Sequence, residues 1–249
     1  HCEMLEWVAG GLVNDGRASS ILGVKGMPRE SEDEITRRDL TLAEETGAPV
    51  HICHISTRGA VDALRRAKAR GVDATGETCP HYFTLTEEAV LGRDANFRMN
   101  PPLRTAEDRQ AILEAIEDGT IDILTTDHAP HTAAEKADFL TAPNGVVGLE
   151  TLFAIAHTQL VLTGRIPLRR LIALLAEQPR KRLGLPVPAL SPGEPADLTL
   201  WDPGRSWVVD PGRFYSKGRN TPFAGRLVTG QVQATICNGK LVYYQREGV

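Results

Sequence analysis

The sequence predicts an α/β fold of strand–helix–strand units around a parallel sheet, followed by a small all-β unit. Three observations carry this. Short β-branched runs alternate with helical runs that have recognisable caps. Two of those runs stop on polar residues, at His54 and Asp127. After Leu185 the texture changes to short runs punctuated by Pro186, Pro188, Pro192, Gly193 and Pro195.

In order, Ser31-Glu32-Asp33-Glu34 has the form of a capping box, with Ser31 accepting from the Glu34 amide. It predicts a helix to about Glu45 with Ile35, Leu40 and Leu42 among its apolar positions, stopped by Gly47 and Pro49. Residues 50–55 form a compact β-branched run, hence a buried strand. Thr57 caps the next helix, which runs through about Arg70 and ends at Gly71. Residues 72–78 read as a second strand, 106–117 as a helix closed by Asp118-Gly119, and 121–126 as a third strand. Alternation at this spacing implies βαβ units. In barrels of that kind the functional residues sit at the C-terminal strand ends, where His54 and Asp127 stand. Residues 149–162 and 168–176 read as further helices. Short strands follow over 197–201, 207–209, 226–228, 232–237 and 240–244, the last two joined by the hairpin turn Asn238-Gly239.

Composition narrows the function. A net charge of −4 over 249 residues leaves no basic footprint for nucleic acid. No run of 18 or more apolar residues marks a membrane span. Cys2, Cys53, Cys79 and Cys237 have no paired spacing, and three of them lie in strand candidates or beside histidine, which predicts reduced, buried thiols. With no signal peptide recognised, a cytoplasmic compartment is expected. His1 stands where a natural start would have Met, so a fragment, a processed chain or a trimmed form is expected, with part of the functional site absent.

The densest chemistry is Thr126-Asp127-His128-Ala129-Pro130-His131, a carboxylate and two histidines directly after an apolar strand. Carboxylate oxygen and imidazole nitrogen suit zinc and similar ions, and such a carboxylate can accept a proton from an attacking water. The alternative is an Asx-type turn closed by Pro130. His51 and His54 are three apart on one predicted strand and so point to opposite faces; His54, nearer the C-terminal end, is the better ligand candidate, and a buried structural histidine is the alternative. His1 is a further ligand candidate or simply a chain end. His81, after Pro80, lies near the site or serves structure, and His157 belongs to a helix interior. Asn100-Pro101-Pro102-Leu103-Arg104 is a stiff loop that can present the Asn100 amide, and Ala142-Pro143-Asn144-Gly145 is a turn that can present backbone groups.

Taken together these segments resemble the dihydroorotases of the amidohydrolase superfamily, in their bacterial form. The resemblance rests on His1-Cys2-Glu3, the run from Val50 to Thr57, the Asn100–Arg104 loop, Asp118-Gly119-Thr120-Ile121-Asp122, the Thr126–His131 segment, Ser216-Lys217 and Asn220-Thr221-Pro222-Phe223. Met4 departs from it, where an acidic residue is usual, and Cys79-Pro80-His81-Tyr82 reads more like an allantoinase or hydantoinase. The resemblance implies the later part of a (β/α)₈ barrel of the TIM type over 1–186 and a small β-sandwich subdomain over 187–249. It implies that His1 and His54 hold the more exposed of two metals, and that Asp127 binds the other and acts as general acid and base. Asn100, His131, Asn144 and Gly145 are implied as substrate contacts, the last two through the backbone.

The implied cofactor is Zn²⁺, one or two per subunit. The implied reaction is the reversible interconversion of dihydroorotate and N-carbamoyl-aspartate in de novo pyrimidine biosynthesis. The alternatives are an allantoinase- or hydantoinase-type cyclic amidohydrolase, and a non-catalytic partner of aspartate carbamoyltransferase. Dihydroorotate is the implied small-molecule partner; a homodimer and aspartate carbamoyltransferase are the protein partners left open. The family's first-strand His-x-His pair, its substrate arginine and its bridging ligand have no counterpart in these 249 residues, so the chain alone is expected to be inactive and poorly soluble.

Overall fold

A computed structural model of the chain describes residues 1–187 and 189–245. Pro188 and the last four residues of the expected all-β unit, 246–249, lie outside the described residues.

The parallel pairing expected from the alternation is present. Strand β1 (Val13–Asn14) pairs in parallel with β2 (Gly26–Met27). Strands β3 (Val50–Ile52), β4 (Ala74–Thr78) and β5 (Ile123–Leu124) form a second parallel sheet in that order. The helices Arg58–Ala69 and Ala106–Asp118 lie in the connections between these strands. The first buries Ala60, Val61, Ala63, Leu64 and Ala67 on one stripe, the i, i+3, i+4, i+7 pattern of a helix packed on a core. It comes so close to the sheet that a Cβ at Gly76 would meet Leu64 Cδ2 at 2.4 Å. Both helices have oxygen caps. Ala60 N donates to Thr57 Oγ1 at 3.1 Å, as expected, and Thr105 and Asp108 close a reciprocal capping box. Each cap contributes about 1 kcal/mol.

Three local expectations are corrected. The helix Arg29–Thr46 begins two residues before Ser31, with Pro28 as its N-cap residue. Ser31 is buried inside its first turns and its hydroxyl accepts from Met4 N at 2.7 Å instead. Within the same helix Ile35 and Leu40 are buried but Leu42 is 49% exposed, because it falls off the buried stripe. The strand expected over 50–55 ends at Ile52, since His54 adopts φ +37° and leaves the extended region. Strand alternation therefore does not carry through to His54: His51 Nε2 lies 3.2 Å from Glu77 Oε2, while the His54 ring stands 4.5 Å from that of His1.

The third sheet is antiparallel, β6 (Leu198–Val208), β7 (Leu227–Cys237) and β8 (Lys240–Tyr244). The pieces expected at 197–201 and 207–209 are one strand carried past Pro203-Gly204 by shifts of register between Leu200 and Ser206. Those at 226–228 and 232–237 are likewise continuous through Gly230, at φ +100°. Asn238 and Gly239, at φ +48° and +73°, make the expected hairpin turn.

The chain forms two compact units: His1–Leu152 with Pro211–Pro222, and a second running from Phe153 to Asp210 and from Phe223 onward. The second gathers the helical segments after Phe153 with the antiparallel sheet. His157 Nδ1 donates to the Thr229 carbonyl at 3.0 Å, and the Phe153 and Trp201 rings meet at 4.6 Å. Among the described residues no helix is long and apolar enough to cross a membrane.

Candidate metal and substrate site

The loop that follows β3 is set by a buried polar network. The Glu32 carboxylate, 4% exposed, accepts from Ser56 N at 2.7 Å, from Thr57 N at 3.2 Å and from the Ser56 hydroxyl. Arg104 lies beside it, with Nη2 at 3.6 Å, and donates onward to Ser56 Oγ, Asn14 Oδ1 and the Met27 carbonyl. Every oxygen and nitrogen of this pair is thus engaged from several elements, the condition under which buried charges persist. The network fixes the chain directly after His54, at Ser56 and Thr57.

His54 and Asp127 both hold left-handed backbone, at φ +37° and +47°. Such strain at a non-glycine residue persists where its surroundings over-determine it, commonly at functional sites. The His1 and His54 rings lie 4.5 Å apart, tilted by 45°. Asp127 acts electrostatically on His54. Burial pushes the His54 imidazole below its ordinary value against the pull of Asp127, so the neutral ring is favoured. Burial pushes the Asp127 carboxyl above its ordinary range; His54 opposes the rise and Glu77 adds to it. Asn100, whose peptide with Pro101 is cis, places Nδ2 3.4 Å from His1 Nδ1 and 3.0 Å from Glu3 Oε2.

A second group stands around Asn220. Its amide nitrogen donates to the carbonyls of Ala129 and Gly145, both at 2.9 Å, and its oxygen accepts from His131 N at 2.9 Å. His131 Nε2 donates to the Asn144 carbonyl at 2.9 Å, and Gly145 N donates to the Arg98 carbonyl at 3.0 Å. Position 145 requires glycine: φ is +139°, and a Cβ would meet Ala129 Cβ at 2.6 Å and His131 Nε2 at 3.0 Å. Arg98 and Lys136 brace the same turn. Arg98 donates to the Phe139 carbonyl and, at 3.3 Å, to Asn144 Oδ1, and Lys136 donates to the carbonyls of Arg98 and Pro143.

The structure therefore brings His1, His54 and Asn100 together, pairs Asp127 electrostatically with His54, and links His131, Asn144 and Gly145 by hydrogen bonds. The donor set of two imidazoles and one carboxylate, with burial keeping the His54 lone pair free, fits a zinc-like divalent ion. These three are not, however, the tightest donor set. Among the described residues the one group of three whose donor atoms all lie within 4.8 Å of one another is His51, Cys53 and Glu77.

Sequence reasoning missed Glu32, Glu77, Arg98, Arg104 and Lys136 as parts of this architecture. Glu32 was legible only as part of a capping box, and Glu77, Arg98 and Arg104 have their partners far along the chain. The expectation of buried thiols also fails in part. All four cysteines are free, but only Cys79 is buried, while Cys53 and Cys237 are exposed at the ends of their strands.

His81 gives a pH prediction. It is 1% exposed, its Nε2 has no hydrogen-bond partner, and burial, with His54 adding, holds its pKa down to about 3. An unfolded histidine titrates near 6.5, so between roughly pH 6.5 and pH 3 the unfolded state alone binds this proton. The resulting stability, complete above 6.5, is lost on acidification by up to about 1.4 kcal/mol per pH unit. His81→Gln is expected to lessen that slope in denaturant titrations from pH 7 to pH 4; an unchanged slope would contradict the assignment.

With the geometry in hand, known proteins give a consistent picture. The profile of the Amidohydrolase family matches residues 12–242. A protein named dihydroorotase from Pelotomaculum thermopropionicum is 49% identical over 247 residues, covering 99% of this chain and 58% of that protein. Another of that name, from Syntrophus aciditrophicus, is 48% identical over 246 residues, covering 98% and 58%. Among solved structures, the L-hydantoinase (dihydropyrimidinase) of Arthrobacter aurescens superposes with a TM-score of 0.84 at 30% identity, covering 93% of this chain and 55% of that one. The D-hydantoinase (dihydropyrimidinase) of a Thermus species gives 0.82 at 25% identity, covering 99% and 57%. The chain thus spans 58% of the length of these curated relatives.

Proposed function

This chain belongs to the amidohydrolase family, with the α/β barrel-type fold of its structural relatives and a small antiparallel sheet, and on that premise we propose that it is the later part of a dihydroorotase. Its reaction would be the reversible hydrolysis of dihydroorotate to N-carbamoyl-aspartate, a step of pyrimidine synthesis. The observation that carries this reading is the His1–His54 ring pair, with the Asp127 carboxyl beside His54 acting on that ring. The names of the relatives support the substrate.

The family is metal-dependent in general; zinc is the ion we propose here, one or two per subunit, with His1 and His54 as ligands of one and Asp127 as a ligand of the same or a neighbouring ion. When bound it supplies Lewis acidity that polarises the scissile carbonyl. The protein's own groups do the rest. Burial favours a neutral His54, which keeps a nitrogen lone pair for a ligand bond. Asp127, whose carboxyl burial raises above its ordinary range, is suited to take a proton from the attacking water and return it to the leaving nitrogen. Asn100 offers its amide to the cyclic substrate from beside His1. His131 is oriented by its bond to Asn144. The Asn144 and Gly145 carbonyls each already accept one hydrogen bond, so a substrate contact there uses the second lone pair. The division into a partial barrel over 1–186 and a β-sandwich subdomain over 187–249 belongs to this proposal for the whole protein, as do cytoplasmic location, a homodimer and an association with aspartate carbamoyltransferase.

The test is turnover by the full-length protein on three cyclic amides. Dihydroorotate is expected to be hydrolysed with kcat/KM well above that for a hydantoin or allantoin. Preference for either of the latter would replace the substrate while keeping the chemistry. No turnover of any of them, in a folded metal-loaded protein, would favour a non-catalytic partner.

A further inference from the structure

The family reading leaves His51, Cys53 and Glu77 without a role, yet these make the tightest set of metal-ligating atoms among the described residues. Two neighbouring strands assemble it. His51 of β3 stands opposite Thr75 of β4 in parallel register, and Glu77 follows two residues later, so its side chain emerges on the same side as that of Thr75. Cys53 follows β3 directly, and its sulfur lies within 4.8 Å of a Glu77 carboxylate oxygen. All three are open to solvent to some degree, Cys53 most. His51 Nε2 lies 3.2 Å from Glu77 Oε2.

The histidine is already oriented as a ligand needs to be. Its Nδ1 lies 2.8 Å from Thr75 Oγ1. In metal sites the second ring nitrogen of a ligating histidine regularly donates to an oxygen, which fixes the tautomer and aims the free lone pair. Here Thr75 provides that oxygen and Nε2 is the nitrogen turned toward the other two donors. One imidazole nitrogen, one thiolate sulfur and one carboxylate oxygen make a mixed set of borderline softness. That composition suits zinc or a similar ion and disfavours magnesium or calcium, which take oxygen alone.

We propose that His51, Cys53 and Glu77 form a second cation site, distinct from the His1–His54–Asp127 group, which binds a borderline-to-soft divalent metal with solvent completing its shell. Binding replaces the S–H bond of Cys53 with a sulfur–metal bond and releases that proton to solvent. It clips the end of β3 to β4 one residue before His54. It also occupies the Glu77 carboxylate, which otherwise acts on both His54 and Asp127. None of its donors has a role in the proposed hydrolytic reaction, so cation binding here can be tested without turnover.

Cobalt distinguishes the two sites, since only this one contains sulfur. Metal-free full-length protein titrated with Co²⁺ is expected to develop a thiolate-to-cobalt charge-transfer absorption in the near ultraviolet. Cys53→Ser should abolish it, while Cys2→Ser and Asp127→Asn leave it in place. Thr75→Val, which removes the oxygen that orients His51, should weaken Co²⁺ binding at this band by about 10- to 100-fold. A second measurement needs no variant: alkylation of Cys53, mapped by mass spectrometry, should be slowed by Co²⁺ in the unmodified protein. Absence of the band, its survival in folded Cys53→Ser, or undiminished alkylation of Cys53 at saturating Co²⁺ would overturn the proposal.

Discussion

Replacing Asp127 with asparagine is expected to reduce dihydroorotate turnover by at least about 10²- to 10⁴-fold, the usual contribution of a positioned general acid–base group. The amide cannot accept the proton of the attacking water, and as a neutral group it is the weaker metal ligand. The fold should survive, because asparagine tolerates the left-handed backbone that Asp127 adopts, at φ +47°. Burial already disfavours charge at this position, so losing the charge relieves a penalty as well. The check pairs kcat with a thermal melt of the same sample. Near-normal turnover in a folded variant would remove Asp127 from the chemistry; collapse of the melt would instead make it a structural residue.

The largest expected effect on stability lies away from the reacting groups. Glu32→Ala deletes the acceptor that organises Ser56 and Thr57 and leaves Arg104, 5% exposed, without its anionic partner. Breaking a buried pair from one side costs about 3–5 kcal/mol, mostly through the charge left behind. The double variant Glu32→Ala/Arg104→Met should recover part of that loss, since no charge then remains buried. Denaturant midpoints would measure both. A single-variant loss below about 1 kcal/mol would mean that the network is solvated and does not set the His54 turn.

The contrast between these two residues marks what the sequence makes legible. Asp127 announces itself, because an apolar run that stops on a carboxylate and two histidines is a local pattern, and the end of a parallel strand is where such groups are used. The caps at Thr57 and the turn at Asn238-Gly239 are local in the same sense. Glu32 is not: its partners stand 24 and 72 residues further along, and in sequence it is indistinguishable from an exposed charge in a helix's first turn. The same holds for Arg98, whose partner Phe139 stands 41 residues further along. The strand ends escape the sequence for a related reason. Hydrophobic periodicity marks where a strand can run, but the backbone leaves the extended region at His54 and Asp127, and nothing in residue type signals a left-handed histidine. The antiparallel sheet errs the other way. Proline and glycine at 203–204 read as a break, and the chain accommodates them as an irregularity inside one strand.

The central claim is that His1, His54 and Asp127 hold a metal that serves hydrolysis. The most direct measurement is a crystal structure of the zinc-loaded full-length protein with anomalous data at the zinc edge. The account predicts a peak bonded to ring nitrogens of His1 and His54 and to an oxygen of Asp127, or to the histidines with Asp127 on a neighbouring ion, at roughly 2.0–2.2 Å. Zinc found only at His51, Cys53 and Glu77, with His54 turned away from Asp127, would contradict it.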